Sequence, residues 1–151
     1  MICIEYMCGD KYIDSWYDLF IGSSDDRFYN YFIDINNKHT IVSKYLNEYL
    51  NGNFMLINVT YNDENIGIIN YNDQTKYFGY LFTDKYKGLY LGRKAVTLFL
   101  NNIMNKDDIF YANVLKTNTS SINLLYNLGD KFLIKKINEN DNVYIYSISL
   151  I

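Results

Sequence analysis

The stretch "YKGLYLGRKA", Tyr86 to Ala95, decides how this chain is read. It sets two glycines between a run of strand-like period, "YFGYLFT" (77–83), and a helical run whose Ala95, Val96, Phe99, Leu100 and Ile103 share one face. A glycine-bearing turn of this kind leaves N–H groups at the helix start without intrahelical acceptors, and such groups hold anions. Residues 84–94 add Lys85, Lys87, Arg93 and Lys94 against one acid, Asp84, in a chain whose net charge is −3. The plain alternative is a solvated turn that only separates strand from helix. The anion-binding reading is preferred, with Tyr90 standing where such loops usually carry another glycine.

Outward from this loop the period sorts the elements. Upstream, "FMLINVTY" (54–61), the polar turn "NDEN" and "IGIINYN" (66–72) form an expected hairpin. Before it, residues 2–7 read as a strand, and 11–20 as a helix carrying Ile13, Trp16, Tyr17 and Phe20 on one side. A second short helix is expected over 25–32. A third, over 40–52, places Ile41, Tyr45, Leu46 and Leu50 together and stops at Gly52. Downstream, a helix of about 13 residues follows the loop. Then come a strand over 109–115, a short helix in "TSSINLLYNLG" stopped by Gly129, and two closing strands, "KFLIKKI" and "NVYIYSISL". The order β-α-α-β-β-β-α-β-α-β-β, with the short 25–32 helix left out of the count, predicts an α/β (α+β) chain. Its central sheet is mixed, mostly antiparallel and flanked by helices. The chain reads as a single domain over 1–151, and ligands in such sheets sit at strand ends beside helix N-termini.

Composition excludes several classes. With 49% hydrophobic and 21% charged residues, the sequence is that of a globular chain, not a disordered one. No apolar run approaches the roughly 18 residues of a membrane span. The opening "MICIEYMCGD" lacks a basic region followed by a long apolar one, so a cytoplasmic location is expected. Cys3 and Cys8 with a single histidine, His39, are too few for a zinc site, and no metal is expected. The cysteines read as small apolar fillers of the first strand. Residues 1–52 hold 8 acids and 4 bases, whereas the remainder balances to +1. An acidic chain of pI near 5.0 is not expected to form a stable nucleic-acid complex.

The element order and two motifs resemble the GCN5-related N-acetyltransferase (GNAT) superfamily. Its cofactor loop reads Tyr-Arg/Gln-Gly-x-Gly-x-Gly/Ala, and Tyr86-Lys87-Gly88-Leu89-Tyr90-Leu91-Gly92 fits all but the central glycine. Downstream, "NTSSINLLYNLG" (118–129) is similar to the Asn-x-x-Ser-Ile-x-Leu-Leu-x-x-Leu-Gly run of the branch that includes ribosomal-protein alanine N-acetyltransferases.

The resemblance implies the acyl-CoA N-acyltransferase fold, acetyl-CoA as cosubstrate and direct acetyl transfer to a primary amine. Lys87, Gly88, Leu89, Tyr90, Leu91, Gly92 and Arg93 then match the pyrophosphate loop. Tyr80, Leu81 and Phe82 match the splayed strand whose backbone pairs with the pantetheine arm, one N–H stabilising the thioester oxyanion. Asn118 matches the asparagine that contacts the arm, and its other reading is a helix N-cap. The family's usual acid, a tyrosine seven residues after that asparagine, falls here on Leu125. Ser121 and Tyr126 are the candidate catalytic residues in its place, against readings as a packing residue and an ordinary aromatic. Glu64, Asp73, Glu139, Asp141 and His39 read as solvated residues, so a base acting through water is expected.

The implied acceptor is a protein N-terminus, an amino sugar or a small amine. In the family the first helices wall the acceptor side. Here they carry Asp14, Asp18, Asp25, Asp26 and Asp34, so a cationic or neutral amine is expected. A degenerate CoA-binding or interaction module without turnover is the rival, and a toxin acetylating aminoacyl-tRNA a second that the acidic balance disfavours. No membrane partner is expected, and a homodimer is left open.

Overall fold

The computed structural model describes residues 1–6, 44, 47, 51–86 and 89–151. The helices expected over 11–20 and 25–32 lie outside these residues. So does most of the one over 40–52, of which Lys44, Asn47 and Asn51 are helical. Along the described chain run β1 (Ile2–Tyr6), β2 (Met55–Tyr61), β3 (Glu64–Tyr71), β4 (Phe78–Phe82) and α1 (Leu91–Ile103). β5 (Ile109–Leu115), α2 (Thr119–Tyr126), β6 (Phe132–Glu139) and β7 (Val143–Leu150) follow.

The strands form two antiparallel sheets, ordered β1-β2-β3-β4 and β5-β7-β6. They join at one parallel bridge, Tyr77 with Tyr111, where the Tyr111 N–H donates to the Lys76 carbonyl at 2.9 Å and the two rings stack. The expected mixed and mostly antiparallel character is therefore present, its parallel part reduced to that bridge. Beyond it β4 and β5 diverge.

The β2–β3 hairpin is tighter than the polar run suggests. Glu64 and Asn65 already belong to β3, and Asn62 and Asp63 alone make the turn, at φ 50° and 66°. Both residue types tolerate this left-handed conformation, which a two-residue hairpin of the right twist demands.

Register places Ile57, Ile69 and Tyr80 on one face of the first sheet, and Leu56, Ile68 and Leu81 on the other side. The first face, with Val59, Tyr71 and Phe78, packs on Ala95, Val96, Phe99 and Leu100 of α1. The same helix face reaches Phe110, Ala112 and Ile148 of the second sheet, so α1 ties both sheets together. Each large side chain buried there contributes about 1.5–3 kcal/mol. Tyr71 stands edge-on to Phe99 and stacks on Phe110, which locks the junction. Leu56, Ile68 and Leu81 are buried too, which is why β2 and β3 read as nearly unbroken apolar runs.

Two smaller expectations change. Cys3 is exposed rather than a core filler, because Ile2 and Ile4 take the inward positions of β1; Cys8 lies outside the described residues. The helix α2 ends at Tyr126 with Asn127 as its cap, and Gly129, at φ 110°, turns the chain two residues later.

Candidate active site

The divergence of β4 from β5 opens a groove of about 740 Å³. β4 forms one wall, the start of α1 its mouth, and the first turns of α2 the opposite wall. Tyr80, Leu81, Phe82, Tyr90, Leu91 and Gly92 line it, as do Arg93, Asn118 and Ser121. Leu89 does not, opening instead on a smaller hollow with Met1, Ile2, Tyr61 and Lys94. Lys87 and Gly88 lie outside the described residues.

At the mouth, the Lys94 N–H makes the first intrahelical bond, to the Tyr90 carbonyl at 3.1 Å. The N–H groups of Leu91, Gly92 and Arg93 thus have no acceptor among the described residues, and no side chain caps them. They give α1 the donor set and positive dipole end that anions seek. Tyr90 reaches this geometry by adopting the conformation a glycine would have had, φ 57° and ψ 30°. That costs an L-residue about 1–2 kcal/mol. Its ring, 64% exposed, lies under the Arg93 guanidinium, 4.7 Å from the centroid, a contact worth about 0.5–1 kcal/mol at such sites.

Gly92 is required for closeness, not for φ. A Cβ there would lie 2.8 Å from Phe82 Cδ2 and 3.3 Å from Leu124 Cδ1, and one on Gly67 would overlap the opposite side of the same ring. Phe82 is held between two glycines, which draws the helix start onto β4.

Pairing parity decides which amides of β4 face the groove. The Thr83 N–H donates to the Ile66 carbonyl at 2.9 Å, so Thr83, Leu81 and Gly79 direct their backbone groups to β3. Tyr80 and Phe82, the alternate positions, turn theirs to the outer edge. The Leu81 N–H is therefore engaged in the sheet, and Phe82 carries the outward donor.

Across the groove, Asn118 caps α2: its side-chain oxygen accepts from the Ser121 N–H at 3.1 Å, leaving its amide NH₂ as a donor. Ser121 Oγ lies 2.7 Å from the Tyr80 hydroxyl, which also donates to the Ser121 carbonyl at 3.3 Å. This link between β4 and α2 was not foreseen, since Tyr80 entered the reading only for its backbone. Leu125, where the family's tyrosine would fall, is wholly buried in the core. Tyr126 does not line the groove. It is 54% exposed and meets Tyr146 edge-on. Burial, with Tyr126 beside it, pushes the Tyr146 phenol up to about 12.

Of the cations near the loop, Lys85 is engaged: it pairs with Glu64 at 2.6 Å, and the Tyr86 hydroxyl donates to the same carboxylate. These bonds hold the Glu64 carboxyl below its usual range and raise the Tyr86 phenol, so Glu64 is a brace rather than a base. Among the described residues, Arg93 is the cation that faces the groove. Glu139 is likewise lowered by Lys116, which it meets at 2.6 Å, while Asp73 and Asp141 are exposed in turns. His39 lies outside the described residues. Among the described residues no three His, Cys, Asp or Glu side chains converge as a metal site, and no helix is long and apolar enough to cross a membrane.

No family model and no curated protein matches the sequence. The fold does have solved counterparts, several of them acetyltransferases. The microcin C7 self-immunity acetyltransferase MccE, solved with acetyl-CoA and AMP, superposes with a TM-score of 0.70 at 17% identity, over 99% of this chain and 92% of its own. The Campylobacter jejuni N-acetyltransferase PseH gives 0.63 at 14% identity, over 98% and 97%. The ribosomal-protein-S5-alanine acetyltransferase from Vibrio fischeri gives 0.62 at 14%, over 99% and 92%.

Proposed function

We propose that this chain is a single-domain, acetyl-CoA-dependent N-acetyltransferase that passes the acetyl group directly to a primary amine. One observation carries the reading: three amides at the start of α1, without acceptors among the described residues, open beside Arg93 onto a groove walled by an outward strand edge. A diphosphate needs the first feature, and a thin amide-bearing arm needs the second. The groove also falls within the usual size of small-molecule sites, about 300–1,000 Å³. Fold neighbours solved with acetyl-CoA support the same choice.

Within this reading the Leu91, Gly92 and Arg93 amides and the Arg93 guanidinium bind the pyrophosphate. The outer edge of β4 and the Asn118 amide hold the arm. Of the three strand residues expected to offer an N–H, Phe82 turns its own outward and polarises the thioester carbonyl. Ser121 delivers a proton to the departing sulfur. Water serves as the path by which the attacking ammonium, of pKa about 10, loses its proton. The acceptor is a cationic or neutral amine, and no nucleic acid is bound stably.

The test is ligand-induced stabilisation followed by turnover. Acetyl-CoA at 100 times its dissociation constant raises stability by about 2.7 kcal/mol, with CoA close behind. An amine panel read by mass spectrometry then yields acetylated product. Binding without product from any amine would leave a CoA-binding module, the reading that the buried Leu125 favours. No stabilisation at millimolar acetyl-CoA would remove both.

A further inference from the structure

We propose that Tyr80 is the proton reservoir behind Ser121, so that a phenol on β4 and an alcohol on α2 act as one acid. The inference rests on the acetyltransferase reading and assigns a residue to its last chemical step. Tyr80 and Ser121 are 41 positions apart, yet their hydroxyls meet at 2.7 Å across the groove, and both residues line it.

An aliphatic alcohol is a poor acid on its own, because giving up its proton leaves an alkoxide. A thiol ionises near 8.5 and a phenol near 10, so a phenol can supply a thiolate at small cost where a lone serine cannot. Among the described residues of the groove no other acid is placed for this. Asp84 lies beyond the end of β4, Tyr86 is bound to Glu64, and Tyr90 lies under Arg93. Either hydroxyl can donate across the 2.7 Å contact, so a proton can pass from Tyr80 to Ser121, whose backbone amide is held by Asn118.

The step balances as follows. The amine lone pair forms the new C–N bond, the C–S bond breaks, and sulfur keeps the electron pair. The Ser121 proton passes to sulfur while the Tyr80 proton passes to Ser121 Oγ, leaving a phenolate. The proton released by the acylated nitrogen returns through water to Tyr80. Net, one amine proton ends on the thiol. Tyr80 is a positioning and proton-supplying residue; Ser121 is the group that touches the leaving sulfur.

A hydrogen bond between two walls would also serve as a simple brace, so the experiment separates the two roles. Tyr80→Phe keeps the ring and removes only the hydroxyl. The expected result is a fall in kcat of about 10²-fold or more. The CoA dissociation constant and the melting temperature of the ligand-free protein should stay within twofold and within experimental error respectively. Ser121→Ala should fall as far, the double variant no further, and Tyr126→Phe should keep full turnover. In mixtures of light and heavy water, wild-type kcat should follow a curved inventory of two protons, and Tyr80→Phe should not. Unchanged kcat in Tyr80→Phe overturns the proposal. So does a loss matched by weaker CoA binding and lower melting, which marks a brace. A wild-type protein that neither binds acetyl-CoA nor acetylates an amine overturns the functional reading itself, and that failure shows before any variant is made.

Discussion

At the residue scale, Tyr90 is the position where local preference and local structure disagree most. A tyrosine at φ 57° pays for a left-handed backbone, and recovers part of that through the Arg93 contact. Comparing two truncations isolates the backbone term. Tyr90→Ala loses the ring contact and keeps the strain, whereas Tyr90→Gly loses the contact and removes the strain. Chemical denaturation should therefore find the glycine variant more stable than the alanine variant by about 1 kcal/mol, against the usual order within helices. Equal stabilities, or alanine ahead, would mean that Tyr90 is not held left-handed in solution. The sequence showed that a glycine was missing here. It did not show that tyrosine would adopt the glycine's conformation, because the close packing of Gly92 on Phe82 of β4 beside it is a tertiary contact that no local pattern records.

At the scale of elements, the loop between β4 and α1 is anchored to the β2–β3 hairpin through Glu64, Lys85 and Tyr86. Glu64 is lowered in the folded state by Lys85 and then Tyr86, so its contribution is present above the ordinary carboxyl value of 4.5 and is lost as pH falls through the lower folded value. Tyr86 is raised by the same bond, so its part is present below 10.0 and lost as pH rises through the higher folded value. The anchor is thus intact between about pH 5 and 10. Melting temperatures of wild type and Glu64→Gln should differ most in that window and converge towards pH 3. A gap that stays constant down to pH 3 would show that the carboxylate charge is not what matters. The strands on either side were readable from their period-two runs, and α1 from Ala95, Val96, Phe99 and Leu100. The turn length at Asn62 and Asp63 was not, because a polar run carries no mark of where pairing stops. Nor was the choice between Leu81 and Phe82, which depends on the register of β4 against β3.

For the whole molecule, charge is the property that bears on the acceptor. Residues 1–52 carry a balance of −4, and the resemblance drawn from the sequence implies that most of their aspartates stand beside the acceptor. If that acidity steers a cationic amine, kcat/KM should fall as salt rises, most sharply below about 0.1 M where the Debye length exceeds 10 Å. A flat or rising profile for the best amine would dismiss steering. The described part of the architecture was legible in the order of elements, since β-β-β-α-β-α-β-β from β2 onward leaves few ways to cover a sheet, while the helices expected before it lie outside the described residues. Half of the candidate site was legible as well: the loop and Asn118 stand in motifs. The Tyr80–Ser121 pair was not, because the two belong to separate motifs and only the spacing of the diverging strands brings them together.

The parting of β4 from β5 has one further consequence. A strand with an uncovered edge invites another chain to add itself, the first step of many aggregates. Here the exposed run is only Phe78 to Phe82, and it faces inward, opposite α2, with the Tyr80–Ser121 contact spanning its middle. A second polypeptide pairing along these five residues would have to part that link first. The contact proposed above for proton transfer thus also guards the sheet edge against the protein's own kind.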